Sequence, residues 1–89
     1  MTDKYESVFD AIANSPEEAL NMKLRAFLIR EIRIKVAAAD WTQHKTAQRL
    51  GITQPRVSDL LSGKLSKFSL DALVNMLARL GSEVELKVA

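Results

Sequence analysis

The sequence predicts a mainly α fold: a bundle of four to five helices with one short C-terminal β-strand. Three observations predict it. Hydroxyl residues stand immediately before apolar runs of three- and four-residue period, glycines close several of those runs, and the last residues switch to period two. With 89 residues, the chain has the length of one small domain. The expected organisation is an acidic N-terminal arm over residues 1–14 and a single domain over 15–89.

In the arm, Tyr5, Val8, Phe9 and Ile12 are apolar without a clear period, and a helical turn near 6–13 docked by Val8 and Phe9 is expected. The first long helix starts at Ser15-Pro16-Glu17-Glu18. Ser15 caps, Pro16 loses no needed donor at the first helical position, and Glu18 can close a capping box. Its expected stripe is Leu20, Leu24, Phe27, Leu28, Ile32 and Val36. Ile29 and Ile34 lie off that stripe, so this helix should bury more than one side, against the arm or a second subunit.

Thr42 caps a second helix from Gln43 to Leu50, ended by Gly51. Thr53 caps a third from Gln54 to Leu61, where Pro55 is tolerated in the unbonded first turn. Gly63 stops it, and 64–68 is a basic connection. Ser69 caps a fourth helix with Leu70, Leu73, Val74, Leu77 and Leu80 on one stripe, closed by Gly81. The tail, Glu83-Val84-Glu85-Leu86-Lys87-Val88, alternates polar and apolar. A lone strand leaves its backbone unpaired, and nothing in 15–81 reads as a partner. The economical solution is the same strand of a second subunit, antiparallel about a two-fold axis, with Val84, Leu86 and Val88 at the interface. The rival is an edge that pairs with a different protein.

The formal net charge of +2 is unevenly spread. Residues 1–20 set Lys4 against Asp3, Glu6, Asp10, Glu17 and Glu18, whereas residues 21–70 are strongly basic. A basic middle between acidic ends suggests a polyanion partner on one part of the fold. There is no cysteine and one histidine, which excludes disulfide scaffolds, thiol nucleophiles and Cys-based zinc sites. No Gly-rich phosphate loop or Ser–His–acid arrangement is present, so an enzyme is not expected. No cofactor and no metal are expected. No apolar run reaches a membrane span and the acidic start does not resemble a signal peptide, so the expected location is cytoplasmic. A core of this size is marginal alone, which favours a dimer.

The informative window is QHKTAQRLGITQPRVSDLLS, residues 43–62. Two short helices joined by a tight turn need a small residue where they approach most closely, and Ala47 stands there. The turn needs a residue that tolerates positive φ, and Gly51 follows four residues later. Leu50, Ile52, Val57 and Leu60 supply the apolar contacts. This window resembles the lambda-repressor-like, or XRE-family, helix-turn-helix proteins, and the likeness extends over about residues 20–81. The runs LGITQPRVSDLLSGK and FSLDALVNMLARLG with the strand tail look most like HigA-type antitoxins. The resemblance implies a dimer that binds double-stranded DNA, represses its own operon and neutralises a RelE-like RNase toxin. Thr46 departs from the family's usual apolar residue. Its hydroxyl can bond the carbonyl one turn earlier.

In such proteins the second helix of the motif enters the major groove. The outward positions here are Gln54, Pro55, Arg56, Ser58, Asp59 and Ser62, with Thr53 at the helix start. Gln54 can pair with adenine N6 and N7, and Arg56 with guanine or a phosphate. The Pro55 ring can touch a thymine methyl. Asp59 either accepts from a cytosine amino group or pairs with Lys45, Arg56 or Lys64. Lys64 and Lys67 lie where a phosphate strand should pass. The resemblance further implies that Gln43 holds a phosphate and braces Gln54. His44 reads as a surface residue near a phosphate, and Trp41 as a packed lid on the core. Two recognition helices one turn of DNA apart would require an inverted-repeat operator.

Overall fold

Four hydroxyl side chains start the four α-helices seen among the described residues. The structure is a computed structural model, and it describes residues 15–89. The helices are α1 (Pro16–Ala39), α2 (Gln43–Leu50), α3 (Gln54–Leu61) and α4 (Leu70–Arg79), with a 3-10 turn at Leu65–Lys67 between the last two. At each start the hydroxyl of the cap accepts from the third backbone N–H of its helix. Ser15 takes the N–H of Glu18 at 3.1 Å, Thr42 that of Lys45 at 3.1 Å, Thr53 that of Arg56 at 3.4 Å and Ser69 that of Ala72 at 3.1 Å. The arm and its expected docking turn lie outside the described residues.

α1 and α4 enclose the core, and α2 and α3 close its other side. Leu28, Ile29, Ile32 and Val36 of α1 meet Leu73, Met76 and Leu77 of α4, with Leu50, Leu60 and Phe68 completing the cluster. The apolar face of α1 is rotated from the expected one. Ile29 is buried at 2% exposure and Met22 is buried, whereas Leu20 and Phe27 stand 59% and 57% exposed. The reason is that α1 is apolar on several sides, so the neighbours that pack against it choose the buried face. Leu20 and Phe27 with half-buried Leu24 form a second apolar stripe, as the helix's composition suggested.

The helix ends follow the sequence. α3 and α4 each close with a glycine at positive φ, Gly63 at 70° and Gly81 at 79°, and with paired backbone bonds back into the last turn. α1 closes differently, on Asp40 at φ 55°, a left-handed conformation unusual for a residue with a Cβ.

The C-terminal strand is not formed: among the described residues there is no strand, and 82–89 is irregular. The physical reason is the one the alternation raised. A strand requires a second strand for its backbone, and a single copy supplies none. Of the tail's alternating apolar residues only Val84 lies against the core, whereas Leu86 and Val88 are exposed along with Glu83 and Glu85.

Candidate nucleic-acid interface

The helix pair α2–α3 is assembled at the points the sequence named. Ala47 is 8% exposed, Val57 and Leu60 are fully buried, and Gly51 takes φ 72°. The N–H groups of Gly51 and Ile52 both donate to the Ala47 carbonyl, at 2.9 and 3.0 Å, which turns the chain sharply between the helices. Thr46 is buried, and its hydroxyl donates to the Thr42 carbonyl at 2.8 Å, so its departure from an apolar residue costs no unsatisfied group. Trp41 is half-buried beside the pair with the Arg49 guanidinium 5.3 Å from its ring centre, so it is only partly a lid.

α3 presents one edge to solvent. Thr53, Gln54, Pro55 and Ser58 are exposed along it, with Gln43 exposed at the start of α2 and Ser62, Lys64 and Lys67 exposed beyond its end. Several of the candidate residues have partners of their own. Gln54 Nε2 lies 3.2 Å from His44 Nδ1. An amide nitrogen can only donate, so the contact is a hydrogen bond in the tautomer whose Nδ1 is free to accept. His44, rather than the neighbouring Gln43, therefore holds the Gln54 side chain. Asp59 is half-buried and pairs with Lys64, its Oδ1 3.4 Å from Nζ. Arg56 is half-buried, its guanidinium 4.5 Å from the centre of the buried Phe68 ring.

Three basic residues have roles that the sequence did not reveal. Arg25 of α1 reaches across to donate through Nη1 to the carbonyls of Leu65 and Phe68, at 3.0 and 3.4 Å, and so ties the 3-10 turn to the long helix. Its Nε is buried without a partner. Arg33 lies beside the turn that ends α3, with Nη1 3.2 Å from where a Cβ on Gly63 would stand. Arg79 covers the α2–α3 turn, its guanidinium 2.8 Å from the Cβ position of Gly51. A single basic residue on a helix carries no local signal of so distant a partner. The exposed edge of α3 is thus flanked by Lys64 and Lys67, with Arg33 near its end. Among the described residues no group of His, Asp or Glu is arranged to hold a metal ion, and no helix is long and apolar enough to cross a membrane.

An exposed helix edge on a rigid two-helix frame with cations beside it is the arrangement of the helix-turn-helix class. The chain belongs to that family: the model of the helix-turn-helix domain matches residues 10–89, beginning inside the segment expected to form a separate arm. A solved structure assigned by its name to the XRE family of transcriptional regulators is 32% identical, with a TM-score of 0.73 over 78% of each chain. The chain is accordingly an XRE-type helix-turn-helix protein. No curated protein sequence matches it closely enough to count as a relative.

Proposed function

We propose that this protein is a sequence-specific, double-stranded DNA-binding transcriptional repressor of the cytoplasm, acting as a homodimer on an inverted-repeat operator. The observation that carries the reading is the solvent edge of α3, where Gln54, Pro55 and Ser58 project from a helix whose inner face is fully buried. In the major groove Gln54 pairs with adenine through its amide, Pro55 meets a thymine methyl, and Arg56 reaches guanine or a phosphate. Gln43, Thr53, Lys64 and Lys67 contact phosphates, which position the helix without reading sequence. Asp59 steers Lys64 through their ion pair and favours a cytosine amino group where it meets a base. A helix-turn-helix frame of this kind needs no catalytic step.

The finer reading is an autoregulating antitoxin whose partner is a RelE-like toxin. It is supported by the motif resemblance, and the acidic residues of 1–20 suit a basic RNase. The second reading, a protein-interaction module with little specific DNA binding, is favoured by the exposed stripe of Leu20 and Phe27. Fluorescence anisotropy on the DNA upstream of the protein's own gene, beside a scrambled duplex, separates the two. The repressor reading requires the scramble to bind at least ~100-fold more weakly. It also requires a log–log salt slope of roughly −5 to −7, for six to eight phosphate contacts per dimer. Equal, salt-insensitive binding to both duplexes supports the interaction module, and a small basic protein co-purifying from the adjacent gene supports the antitoxin.

A further inference from the structure

The tail and the long helix build one apolar groove. Leu24, Phe27 and Leu28 of α1, Leu70 and Val74 of α4, and Val84 and Leu86 of the tail line a cavity of about 190 Å³, to which exposed Glu85 also contributes. Its rim is left open. Phe27 is 57%, Leu86 72% and Val88 95% exposed. Beside it the backbone of 83–89 has no hydrogen-bond partner among the described residues. Open donors and acceptors next to an open apolar groove call for an occupant that supplies both a strand and apolar side chains.

We infer that the occupant is the tail of a second copy, paired antiparallel with Leu86 on the two-fold axis. This deepens the homodimer reading above and rests on it. The register follows from charge. With Leu86 opposite its own copy, Val84 stands opposite Val88, and Glu85 opposite Lys87 on the other face, twice over by symmetry. All apolar residues then share the face over the groove, and both charge pairs attract. Moving the axis to Glu85 sets that carboxylate against its own copy, and like charges directly opposite repel. Moving it to Lys87 does the same with two ammonium groups. The paired ribbon would lie across the two grooves and cover Phe27 in both subunits, so strand and long helix form one continuous interface.

The chain has no cysteine, so single introduced thiols report the register cleanly. Leu86→Cys and Val88→Cys are compared under mild oxidation in the full-length protein, together with sedimentation of Glu85→Lys and of Glu85→Lys with Lys87→Glu. These side chains are exposed, and circular dichroism checks that each variant remains helical. The expected result is rapid covalent dimer from Leu86→Cys and little from Val88→Cys, whose copies would lie about 14 Å apart along the ribbon. Glu85→Lys should weaken self-association about tenfold, and the double reversal should restore it. A dimer in which Val88→Cys links as fast as Leu86→Cys, or in which the double reversal is weaker than Glu85→Lys alone, overturns this register and leaves the homodimer standing. A wild-type chain that stays monomeric at every concentration overturns both.

Discussion

Arg56 stands both beside the edge of α3 proposed to meet DNA and over the ring of Phe68. Its guanidinium lies 4.5 Å from the centre of a ring that is 2% exposed. At that distance a cation over an aromatic face contributes about 0.5–1 kcal/mol when the cation remains partly solvated, as the half-buried Arg56 does. Arg56→Ala also uncovers apolar ring surface and removes the stem that packs there, adding about 0.5 kcal/mol. The expected loss is therefore about 1–1.5 kcal/mol in urea unfolding followed by Trp41 fluorescence. Phe68→Leu keeps an apolar filling but removes the π face, so a double-mutant cycle between the two isolates the ring contact. A coupling energy of about 0.5–1 kcal/mol is expected. The same Arg56→Ala protein should bind operator about tenfold to a hundredfold more weakly if Arg56 reads a base, with relaxed preference at one base pair. A coupling below about 0.2 kcal/mol would refute the lid, since Arg56 would then gain nothing from the ring.

Other substitutions test separate parts of the frame. His44→Ala frees the Gln54 amide to turn, and should reduce discrimination at the base pair Gln54 reads by about twofold to tenfold, the worth of one hydrogen bond. Binding to each single-base operator variant checks it, and unchanged discrimination would remove His44 from the interface. Gly51→Ala forces a Cβ into a left-handed turn and against the Arg79 guanidinium. A loss of about 1–2 kcal/mol in thermal unfolding is expected, mostly from the backbone, because the Arg79 tip can swing aside. The double change with Arg79→Ala should therefore recover little. Asp40→Gly removes a strained side chain and a negative charge from the C-terminus of α1, and should raise stability by about 0.5–1 kcal/mol. A melting temperature that falls would mean Asp40 makes a favourable contact elsewhere.

The four helix starts were legible because each is settled within four residues by a hydroxyl and its third N–H, and three of the stops were legible as glycines, whereas α1 ends on Asp40. The Ala47–Gly51 spacing was legible for the same reason. The face of α1 was legible only in part: Leu28, Ile32 and Val36 are buried as expected, whereas Leu20 and Phe27 are exposed. Leu20, Leu24, Phe27, Leu28, Ile29, Ile32, Ile34 and Val36 surround that helix, and only the packing of α4 and Phe68 selects among them. The family match added the class but not the side-chain partners. Gln43 and His44 differ by a 100° turn of one helix, and that rotation, invisible in a spacing, gives Gln54 its imidazole neighbour. The Arg25 contacts bridge 40 and 43 residues of chain and leave no local trace. The tail's alternation led to the expectation of a strand, and the single copy forms none among the described residues.

Phe68 connects the two halves of the molecule in different currencies. Its carbonyl is gripped by Arg25 from the long helix, and its ring carries Arg56 from the recognition helix. Gln54, Pro55 and Ser58 are exposed, so under the proposed DNA reading these three can be exchanged for new operators at little cost to folding. Arg56 is not free in that sense. Any lineage or designer that replaces it alters the cover of Phe68 along with the proposed DNA contact.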